Sequence, residues 1–299
     1  MLSILIPTYN YSALELVTEI HEQCEQAAIV YEIIVSDDGS DEKNSLEENR
    51  KINHLSHSIF KENQNNLGRA GNLNLLVEKA QYEWLLFMDC DVFPVKNNFI
   101  SNYLTCINKS LKINFGGIAY KTEKPEKEKL LRWIYGKKRE EITWEERSKN
   151  PFKTTLTSNI LLHKSIFKAI QFNSEITEYG YEDLVFTEEL KEKQFEINHI
   201  NNSCYHLNYE TSEIFMKKTE TALKNLVELE KKGIVAKNIT SLQSAYLQLN
   251  KHNLITPFFI TYQIISPLLF LNLKSKRPIL LFLDILKLGI YSKLKNYKE

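Results

Sequence analysis

The stretch WLLFMDCDVFP, residues 84–94, decides the fold of this chain. Its apolar first half predicts a short buried strand, and Asp89 and Asp91 follow where that strand ends. Side chains two positions apart on an extended segment point to the same side, so both carboxylates can face one ligand. Two hard oxygen donors suit Mg²⁺ or Mn²⁺. Such a pair of acids also occurs by chance in many turns, but unpaired carboxylates at the end of a buried strand would be costly.

Upstream of this stretch, similar apolar runs alternate with segments of helical periodicity. Strands are predicted over 3–7, 32–40, 57–63 and 84–88, and helices over 12–28, 41–51 and the second part of 66–79. This alternation predicts an α/β fold with a mostly parallel, doubly wound sheet flanked by helices. In such sheets ligands bind beyond the carboxyl ends of the strands. We therefore expect the carboxylates of Asp37 and Asp38 to share one crevice with those of Asp89 and Asp91.

Three further segments at this expected crevice carry candidate residues. Asp38 lies in SDDGS (36–40), where it can accept hydrogen bonds from a nucleobase or a ribose, although such a turn also suits a helix N-cap. Tyr9 follows the first strand and can stack on a base or simply pack against protein. Arg69 lies in the glycine-rich turn NNLGRAGN (65–72) and can approach a diphosphate. The chain lacks GKS, GKT and GxGxxG, which excludes the P-loop and dinucleotide-oxidoreductase signatures.

Two segments further along the chain carry titratable candidates. YGYEDL (179–184) places Glu182 and Asp183 in the first turn of a predicted helix. A carboxylate there can act as a general base, although the helix dipole alone favours acids at this position. INHINNSCYHL (197–207) predicts one strand with His206 near its end. Imidazole is a competent metal ligand, and a structural role is the alternative for this histidine.

Bulk composition excludes several classes. The chain has 38 basic and 38 acidic residues, so its net charge indicates no nucleic-acid partner. Its four cysteines are widely spaced and lack a CxxC pair, which predicts reduced thiols in a cytosolic protein. The N-terminus has no basic region before its apolar run, so we interpret that run as the first strand and not as a signal peptide.

Residues 253–299 form a basic tail with seven Lys or Arg and two acids. The uncharged run 253–273 is long enough for a membrane span, but Pro257 and Pro267 interrupt it. We expect instead an interfacial helical hairpin whose cationic flanks give peripheral contact with a membrane. Two buried helices that close the domain are the alternative.

The motifs SILIPTYN, EIIVSDDGSDE, NNLGRAGNLN, WLLFMDCDV and YGYEDLVFTEEL occur in the order and approximate spacing of family 2 glycosyltransferases. The chain resembles this family over roughly residues 1–207, and in particular a branch common in bacterial surface-polysaccharide assembly. The resemblance implies a GT-A catalytic domain over 1–209, with a nucleotide-sugar half over about 1–95 and an acceptor half over about 96–209. A C-terminal helical region over 210–299 is expected to follow.

The resemblance also implies roles for individual residues. The donor, expected to be a UDP-sugar, would be bound by Pro7, Thr8, Tyr9, Asp38, Arg69 and Asp89. Asp91 and His206 would hold Mn²⁺ or Mg²⁺. Asp183 would be the catalytic base, and Glu182 would position the acceptor.

The implied reaction is an inverting, metal-dependent transfer of a sugar to a hydroxyl of a glycan or lipid-linked saccharide. We expect the enzyme to be cytoplasmic. The alternative is that it lies peripherally on the inner face of the cytoplasmic membrane. One departure from the family is Leu73, which stands where many relatives carry Arg, so Arg69 is the candidate for a diphosphate contact.

Two alternative functions stay open. A sugar-1-phosphate nucleotidyltransferase should show an N-terminal GxGxR loop, which SILIPTYNYS lacks. A non-catalytic scaffold with the same fold would tolerate the loss of an acid, whereas Asp38, Asp91 and Asp183 are all present.

Overall fold

The computed structural model describes residues 1–109 and 112–296, and its contacts divide the chain into two compact units. The first unit comprises Met1–Lys121, Arg139–Thr177 and Glu182–Asn208. The second unit comprises Thr122–Lys138, Glu178–Tyr181 and the chain from Tyr209 onward. The second unit thus takes in two short internal segments besides the C-terminal helices, and the predicted division into domains stays a prediction.

In the described chain the strands are β1 Leu2–Thr8, β2 Tyr31–Asp37, β3 Ser58–Glu62, β4 Trp84–Met88, β5 Val92–Pro94, β6 Ile113–Phe115, β7 Ile118–Ala119, β8 Asn159–His163, β9 Asn198–His199 and β10 Cys204–His206. The α-helices are α1 Leu14–Gln26, α2 Lys43–Arg50, α3 Gly68–Lys79, α4 Phe99–Asn108, α5 Leu130–Tyr135, α6 Trp144–Ser148, α7 Pro151–Thr154, α8 Lys164–Ala169, α9 Glu182–Glu192, α10 Ser212–Lys231, α11 Ser241–Lys251, α12 Ile255–Leu273 and α13 Leu280–Asn296. Short 3₁₀ turns cover Lys51–His54 and Lys127–Lys129, and a π-helical turn covers Gly136–Glu140. Helices α5 and α10 to α13 lie in the second unit, and the other α-helices lie with the strands in the first.

The main sheet of the first unit has the strand order β3-β2-β1-β4-β8-β6-β9 over the residues that the structure describes. β1 pairs in parallel with β2 and β4, and β2 pairs in parallel with β3. β8 runs antiparallel to both β4 and β6. The predicted α/β class, with a mostly parallel sheet and a C-terminal helical extension, is confirmed. The antiparallel direction of β8 is a feature that the sequence did not predict.

The apolar runs form strands because the sheet buries them. Every residue of β1 and of β2 is buried, as expected for parallel strands covered on both faces. The core of this unit packs α3 and α9 against the strands, with Leu73, Phe87 and Phe186 among its members. Leu73 is 1% exposed there. An apolar residue at this position therefore completes the core, which gives a structural reason for the departure from Arg.

A smaller sheet has the order β5-β10-β7 in the described chain. β10 pairs antiparallel with β5, with His206 opposite Val92. The prediction of one strand over 197–207 is wrong, because β9 and β10 belong to different sheets. Asn202 lies between them, and its side-chain amide donates to the backbone carbonyl of Phe99 at 3.0 Å. That hydrogen bond fixes a turn which redirects the chain from the main sheet to the small one.

A buried arginine organises the turn after β6. Arg147 is 2% exposed, and its guanidinium donates to the backbone carbonyls of Gly116 at 3.0 Å, Ile142 at 2.6 Å and Ile200 at 2.9 Å. Its Nε donates to Nδ1 of His199 at 3.1 Å. Burial lowers the pKa of Arg147 to about 10, which leaves the side chain charged at neutral pH. The carbonyl oxygens thus solvate a buried cation.

The second unit is helical in the part that the structure describes. A cluster of buried side chains joins four of its helices and comprises Leu131, Met216, Leu273, Leu283 and Leu286. The hairpin of α12 and α13 is tightly packed, since a Cβ added to Gly289 would lie 2.3 Å from the ring of Tyr262. Glycine at this position therefore lets the two helices approach closely.

The prediction that prolines interrupt the apolar run is wrong. Both Pro257 and Pro267 lie within the single helix α12. Pro257 stands in the first turn, where a backbone N–H has no partner within the helix. Among the described helices, α12 is the one that is long and apolar enough to cross a membrane by length and composition, with a mean hydropathy of 1.3.

Candidate active site

The carboxyl ends of β1, β2 and β4 lie side by side because these strands are parallel neighbours. Pro7 and Thr8 end β1, and the hydroxyl of Thr8 donates to the backbone carbonyl of Tyr11 at 2.7 Å. The next residue, Tyr9, is 52% exposed. The aromatic ring of Tyr9 is therefore accessible to a ligand, whereas the hydroxyl of Thr8 is engaged in a local turn.

The two aspartates at the end of β2 have different surroundings. Oδ1 of Asp37 accepts the N–H groups of Gly39 and Ser40 at 3.1 and 2.8 Å, which holds the turn. Asp38 is 4% exposed, and its Oδ1 accepts the N–H of Leu67 at 2.8 Å. Burial raises the pKa of Asp38 despite the opposing effect of that hydrogen bond. Asp38 thus ties the end of β2 to the loop that precedes α3.

Arg69, in the first turn of α3, bonds two carboxylates from distant parts of the chain. Its Nη2 lies 2.7 Å from Oδ1 of Asp89, and its Nη1 lies 3.1 Å from Oδ1 of Asp183. Nη2 also donates to the hydroxyl of Thr157 at 2.9 Å, and that hydroxyl donates to Asp183. The side chains of Arg69, Asp89 and Asp183 are 23%, 28% and 25% exposed. We call Arg69, Asp89, Thr157 and Asp183 the Arg69 cluster; its three charged side chains are partly exposed, whereas Thr157 is buried.

The Arg69 cluster has one cation for two carboxylates. Burial by itself would lower the pKa of Arg69, but attraction to Asp89, Asp183 and Glu182 raises it well above its usual value. Burial raises the pKa of Asp89, which Arg69 opposes and the charge of Asp91 reinforces. Asp89, Asp183 and the nearby Asp91 and Glu182 thus share one guanidinium, and this excess of carboxylates favours the binding of a further cation.

Thr157 is a member of this cluster that sequence reasoning missed. Because β8 runs antiparallel to β4, the residues before β8 lie beside those after β4. The N–H of Asp89 accordingly donates to the backbone carbonyl of Ser158 at 3.1 Å. A parallel β8 would have placed Thr157 at the opposite edge of the sheet. The available signal was a hydroxyl residue just before the apolar run NILLH (159–163), and only the direction of that strand gives it meaning.

Asp91 and His206 are brought together by the small sheet. Val92 stands opposite His206, and the N–H of Leu207 donates to the backbone carbonyl of Asp91 at 2.9 Å. Nε2 of His206 lies 3.5 Å from Oδ2 of Asp91, and the two side chains are 18% and 22% exposed. The imidazole stacks on the ring of Tyr120, with 5.7 Å between centroids. The backbone pairing therefore brings Asp91 and His206 together, and the stacking on Tyr120 orients the imidazole ring.

A carboxylate and an imidazole at this separation fit a divalent cation. Carboxylate oxygens suit Mg²⁺ and Mn²⁺, and imidazole nitrogen suits several transition metals. Over residues 1–109 and 112–296, no group of three or more His, Cys, Asp or Glu forms a candidate metal site. An ion held by Asp91 and His206 would therefore need further ligands from a substrate or from water, as is usual for Mg²⁺.

Tyr11 is a second residue near this pair that sequence reasoning missed. Burial, followed by the charges of Asp91 and Cys90, raises the pKa of Tyr11 to about 12. Its hydroxyl is therefore protonated at neutral pH and available as a donor. The signal was present in the sequence, since Tyr11 follows the first strand by three residues, close to the already singled-out Tyr9.

The candidate acids of α9 divide between the surface of the site and the interior. Both lie in the first turn of the helix, where the dipole favours negative charge. Glu182 is buried, with 8% of its surface exposed, whereas the carboxylate of Asp183 bonds Arg69 and belongs to the Arg69 cluster. The structure therefore joins Asp89 and Asp183 through Arg69, and it places Asp91 beside His206.

Comparison with known proteins identifies a family model and solved structures that the chain resembles. Residues 3–171 match the model of the family described as "Glycosyl transferase family 2". A comparison with curated protein sequences gives no match. Among solved structures, the mannosyltransferase PcManGT from Pyrobaculum calidifontis, in complex with GDP-Man and Mn²⁺, is similar with a TM-score of 0.53 and 12% identity. The similarity covers 77% of this chain and 64% of that one.

TarS from S. aureus is also similar. Its fragment 1–349 gives a TM-score of 0.50 at 17% identity, with 99% of this chain and 92% of that one covered. The same fragment in complex with UDP-GlcNAc gives a TM-score of 0.50 at 16% identity, with 99% and 93% covered. The chain spans only 55% of the longer TarS structure. Likeness at these identities shows a shared fold, which is the GT-A fold.

Proposed function

The chain belongs to glycosyl transferase family 2, and on this premise we propose that it is an inverting transferase of nucleotide-diphosphate sugars. The expected donor is a UDP-sugar, and the expected acceptor is a hydroxyl of a glycan or of a lipid-linked saccharide. The known complexes of similar structures with GDP-Man and UDP-GlcNAc support a nucleotide-sugar donor. We assign the reaction to bacterial cell-surface polysaccharide synthesis, in the cytoplasm and at the inner face of its membrane.

One observation carries this proposal: the Arg69 cluster joins a carboxylate after β4 to a carboxylate at the start of α9. Asp89 lies in the predicted nucleotide-sugar half, about 1–95, and Asp183 lies in the predicted acceptor half, about 96–209. A transferase needs a donor group and a base within reach of the same anomeric carbon. A protein that only bound a nucleotide would have no need for the second carboxylate.

The donor would lie along the carboxyl edge of the main sheet. The exposed ring of Tyr9, which directly follows Pro7 and Thr8 at the end of β1, would stack on the base. Asp38 would accept hydrogen bonds from the base and Asp89 from the ribose. Arg69 would contact the diphosphate through further N–H groups of its guanidinium, which has five in all, while keeping Asp89 and Asp183.

Asp183 would act as the base for the acceptor. Its Oδ1 already accepts from Arg69 and Thr157, which fixes the carboxylate plane and leaves proton removal to Oδ2. The acceptor hydroxyl gives its proton to Oδ2 as its oxygen bonds to the anomeric carbon. The bond from that carbon to the diphosphate breaks, and its electron pair leaves with the nucleoside diphosphate. Glu182 would position the acceptor.

Asp91 and His206 are the residues that would hold Mn²⁺ or Mg²⁺, because they present one carboxylate and one imidazole at a fixed separation. When bound, such an ion supplies positive charge that stabilises a leaving diphosphate. Tyr11, protonated at neutral pH, would donate a hydrogen bond near the same pair.

The variant Asp183→Asn tests the base. We expect it to lower the release of UDP from UDP-sugars in the presence of Mn²⁺ by about 10²–10⁴-fold, the usual contribution of a general base. Because the amide keeps the size of the carboxylate, UDP affinity measured by calorimetry is expected to change less than threefold, roughly the effect of a lost peripheral contact.

The matched control is Glu192→Gln, which neutralises an exposed acid in the last turn of the same helix. It is expected to leave both readouts unchanged. Near-normal UDP release by Asp183→Asn would remove this residue as the base. A wild-type protein that instead formed a nucleotide sugar and pyrophosphate from UTP and a sugar 1-phosphate would be a nucleotidyltransferase, and one that bound UDP without turnover would be a scaffold.

A further inference from the structure

The second unit exposes a row of large aliphatic side chains on α12. Ile260, Ile264, Leu268 and Leu271 are 53%, 74%, 65% and 69% exposed, and we call them the aliphatic row. Their spacing of four, four and three residues places them on one face of the helix. Soluble proteins rarely leave so many neighbouring large aliphatic residues in water, and such a surface marks an interaction site.

The opposite face of α12 is already used. Leu269 and Leu273 are 3% and 0% exposed, and Leu273 packs in the core of the second unit with Leu283 and Leu286. The helix is therefore apolar on both sides, with one side packed against protein. The apolar surface continues onto the start of the next helix, where Leu281 is 61% exposed.

The connection beside the aliphatic row is rich in cations. The segment 255–283 has three of them, Lys274, Lys276 and Arg277, and the next acidic residue along the chain is Asp284 in α13. All three are exposed in the connection between α12 and α13. Lys274 lies 3.4 Å from Glu213, and that ion pair is open to solvent. Apolar side chains beside a cluster of cations complement a surface that is apolar inside and negatively charged at its rim.

We infer that the α12–α13 hairpin docks on an anionic lipid bilayer, with the aliphatic row in the acyl region and Lys276 and Arg277 at the phosphates. The inference makes specific the membrane placement proposed above, and it depends on the second unit alone. A second copy of the chain is a poorer occupant, because residues 255–296 hold six Lys or Arg and a single acid, Asp284, so two copies would bring like charges together. A span across the bilayer would pull Leu273 out of its packed core and expose the buried Leu269.

Sedimentation of the full chain with vesicles tests this inference. We expect binding to vesicles of phosphatidylcholine and phosphatidylglycerol, weak binding to phosphatidylcholine alone, and loss of binding at high salt. The double variant Ile264→Ser/Leu268→Ser is expected to lower the partition coefficient by about tenfold or more, since it removes two of the apolar anchors. Lys276→Gln/Arg277→Gln is expected to lower it roughly fivefold for each cation removed.

The matched controls lie in the first unit. Ile59→Ser replaces another exposed isoleucine, and Lys149→Gln replaces another exposed cation; both are expected to bind vesicles like wild type. Circular dichroism of each variant checks that the helices remain. The readout needs neither donor nor turnover, so its result is independent of the transferase proposal.

Three outcomes would overturn the inference. If Ile264→Ser/Leu268→Ser bound vesicles as well as wild type, the aliphatic row would be excluded as the membrane contact. A second outcome is that wild type binds no vesicles and forms a dimer by light scattering. If Ile264→Ser/Leu268→Ser were then monomeric, a second copy of the chain would be the occupant of this surface. Resistance of membrane-bound protein to extraction at alkaline pH would indicate a span.

Discussion

Arg69 joins two carboxylates that lie far apart in the chain, and its geometry suits that task. A guanidinium presents donors on separate nitrogens, so Nη2 can bond Asp89 while Nη1 bonds Asp183. A lysine ammonium is a point charge on a flexible stem and cannot hold two carboxylates in one plane. The identity of this residue therefore matters beyond its charge.

The substitution Arg69→Ala is expected to lower the free energy of unfolding by about 1–3 kcal/mol. Breaking a fully buried ion pair costs about 3–5 kcal/mol, and the partial exposure of this cluster reduces the loss. Asp89 and Asp183 would be left facing each other without a cation. Arg69→Lys is expected to recover part of the loss, and urea denaturation measures both variants.

Lys79→Ala, at the exposed end of the same helix, serves as the control and is expected to stay within about 0.5 kcal/mol of wild type. A midpoint for Arg69→Ala equal to that of wild type would show that the two carboxylates need no cation. The Arg69 cluster would then contribute nothing to stability.

At the scale of secondary-structure elements, the connection between β6 and β7 requires a glycine at position 117. Gly117 has a φ of +94°, a region that side-chain-bearing residues rarely adopt. A Cβ at this position would lie 2.2 Å from Nη1 of Arg147. The turn therefore requires glycine twice, once for its backbone and once for the approach of a buried guanidinium.

The substitution Gly117→Ala is expected to destabilise the protein by about 3 kcal/mol or more, because backbone strain adds to displacement of the buried Arg147 from its carbonyl partners. Thermal or urea denaturation measures the loss.

Gly233→Ala separates the two causes. Gly233 has a φ of +75°, but a Cβ there would have no atom within 4 Å. Only backbone strain applies, so the expected loss is about 1–2 kcal/mol. Equal losses in the two variants would show that the guanidinium moves aside at no cost.

At the scale of the whole molecule, a buried histidine couples stability to pH. His199 is 6% exposed, and burial followed by the charge of Arg147 lowers its pKa to about 4. In the unfolded chain its pKa would be about 6.5. Between these values the unfolded state binds a proton that the folded state does not, so acidification favours unfolding. The contribution is fully present above pH of about 6.5 and is lost as the pH falls toward 4.

Stability is therefore expected to fall on acidification from neutral pH, with a contribution from His199 of up to about 1.4 kcal/mol per pH unit. His199→Gln is expected to be less stable at neutral pH, because it loses the acceptor for Arg147, and to show a shallower slope. Urea denaturation at a series of pH values measures both. His252→Gln, at an exposed position, is expected to keep the wild-type slope; a wild-type slope in His199→Gln would exclude this histidine as its source.

Much of the fold and part of the candidate site could be predicted because their signals are local. The strands predicted over 3–7 and 84–88 are present as β1 and β4, since short apolar runs bounded by turns are buried wherever they occur. The residues at their ends share one edge because the strands are parallel neighbours. The same local rules failed at Pro267, where packing in the second unit keeps α12 continuous.

The sequence alone determined the order of the first four strands and the helices between them, the α/β class and the carboxylates that follow β2 and β4, because these depend on periodicity and on residues near in the chain. The tertiary structure alone decided that β8 is antiparallel, that Thr157 meets Asp183, and that Arg69 bonds Asp89 and Asp183 together. Strand direction and contacts between distant residues follow from how the whole core packs, and no local pattern encodes that choice.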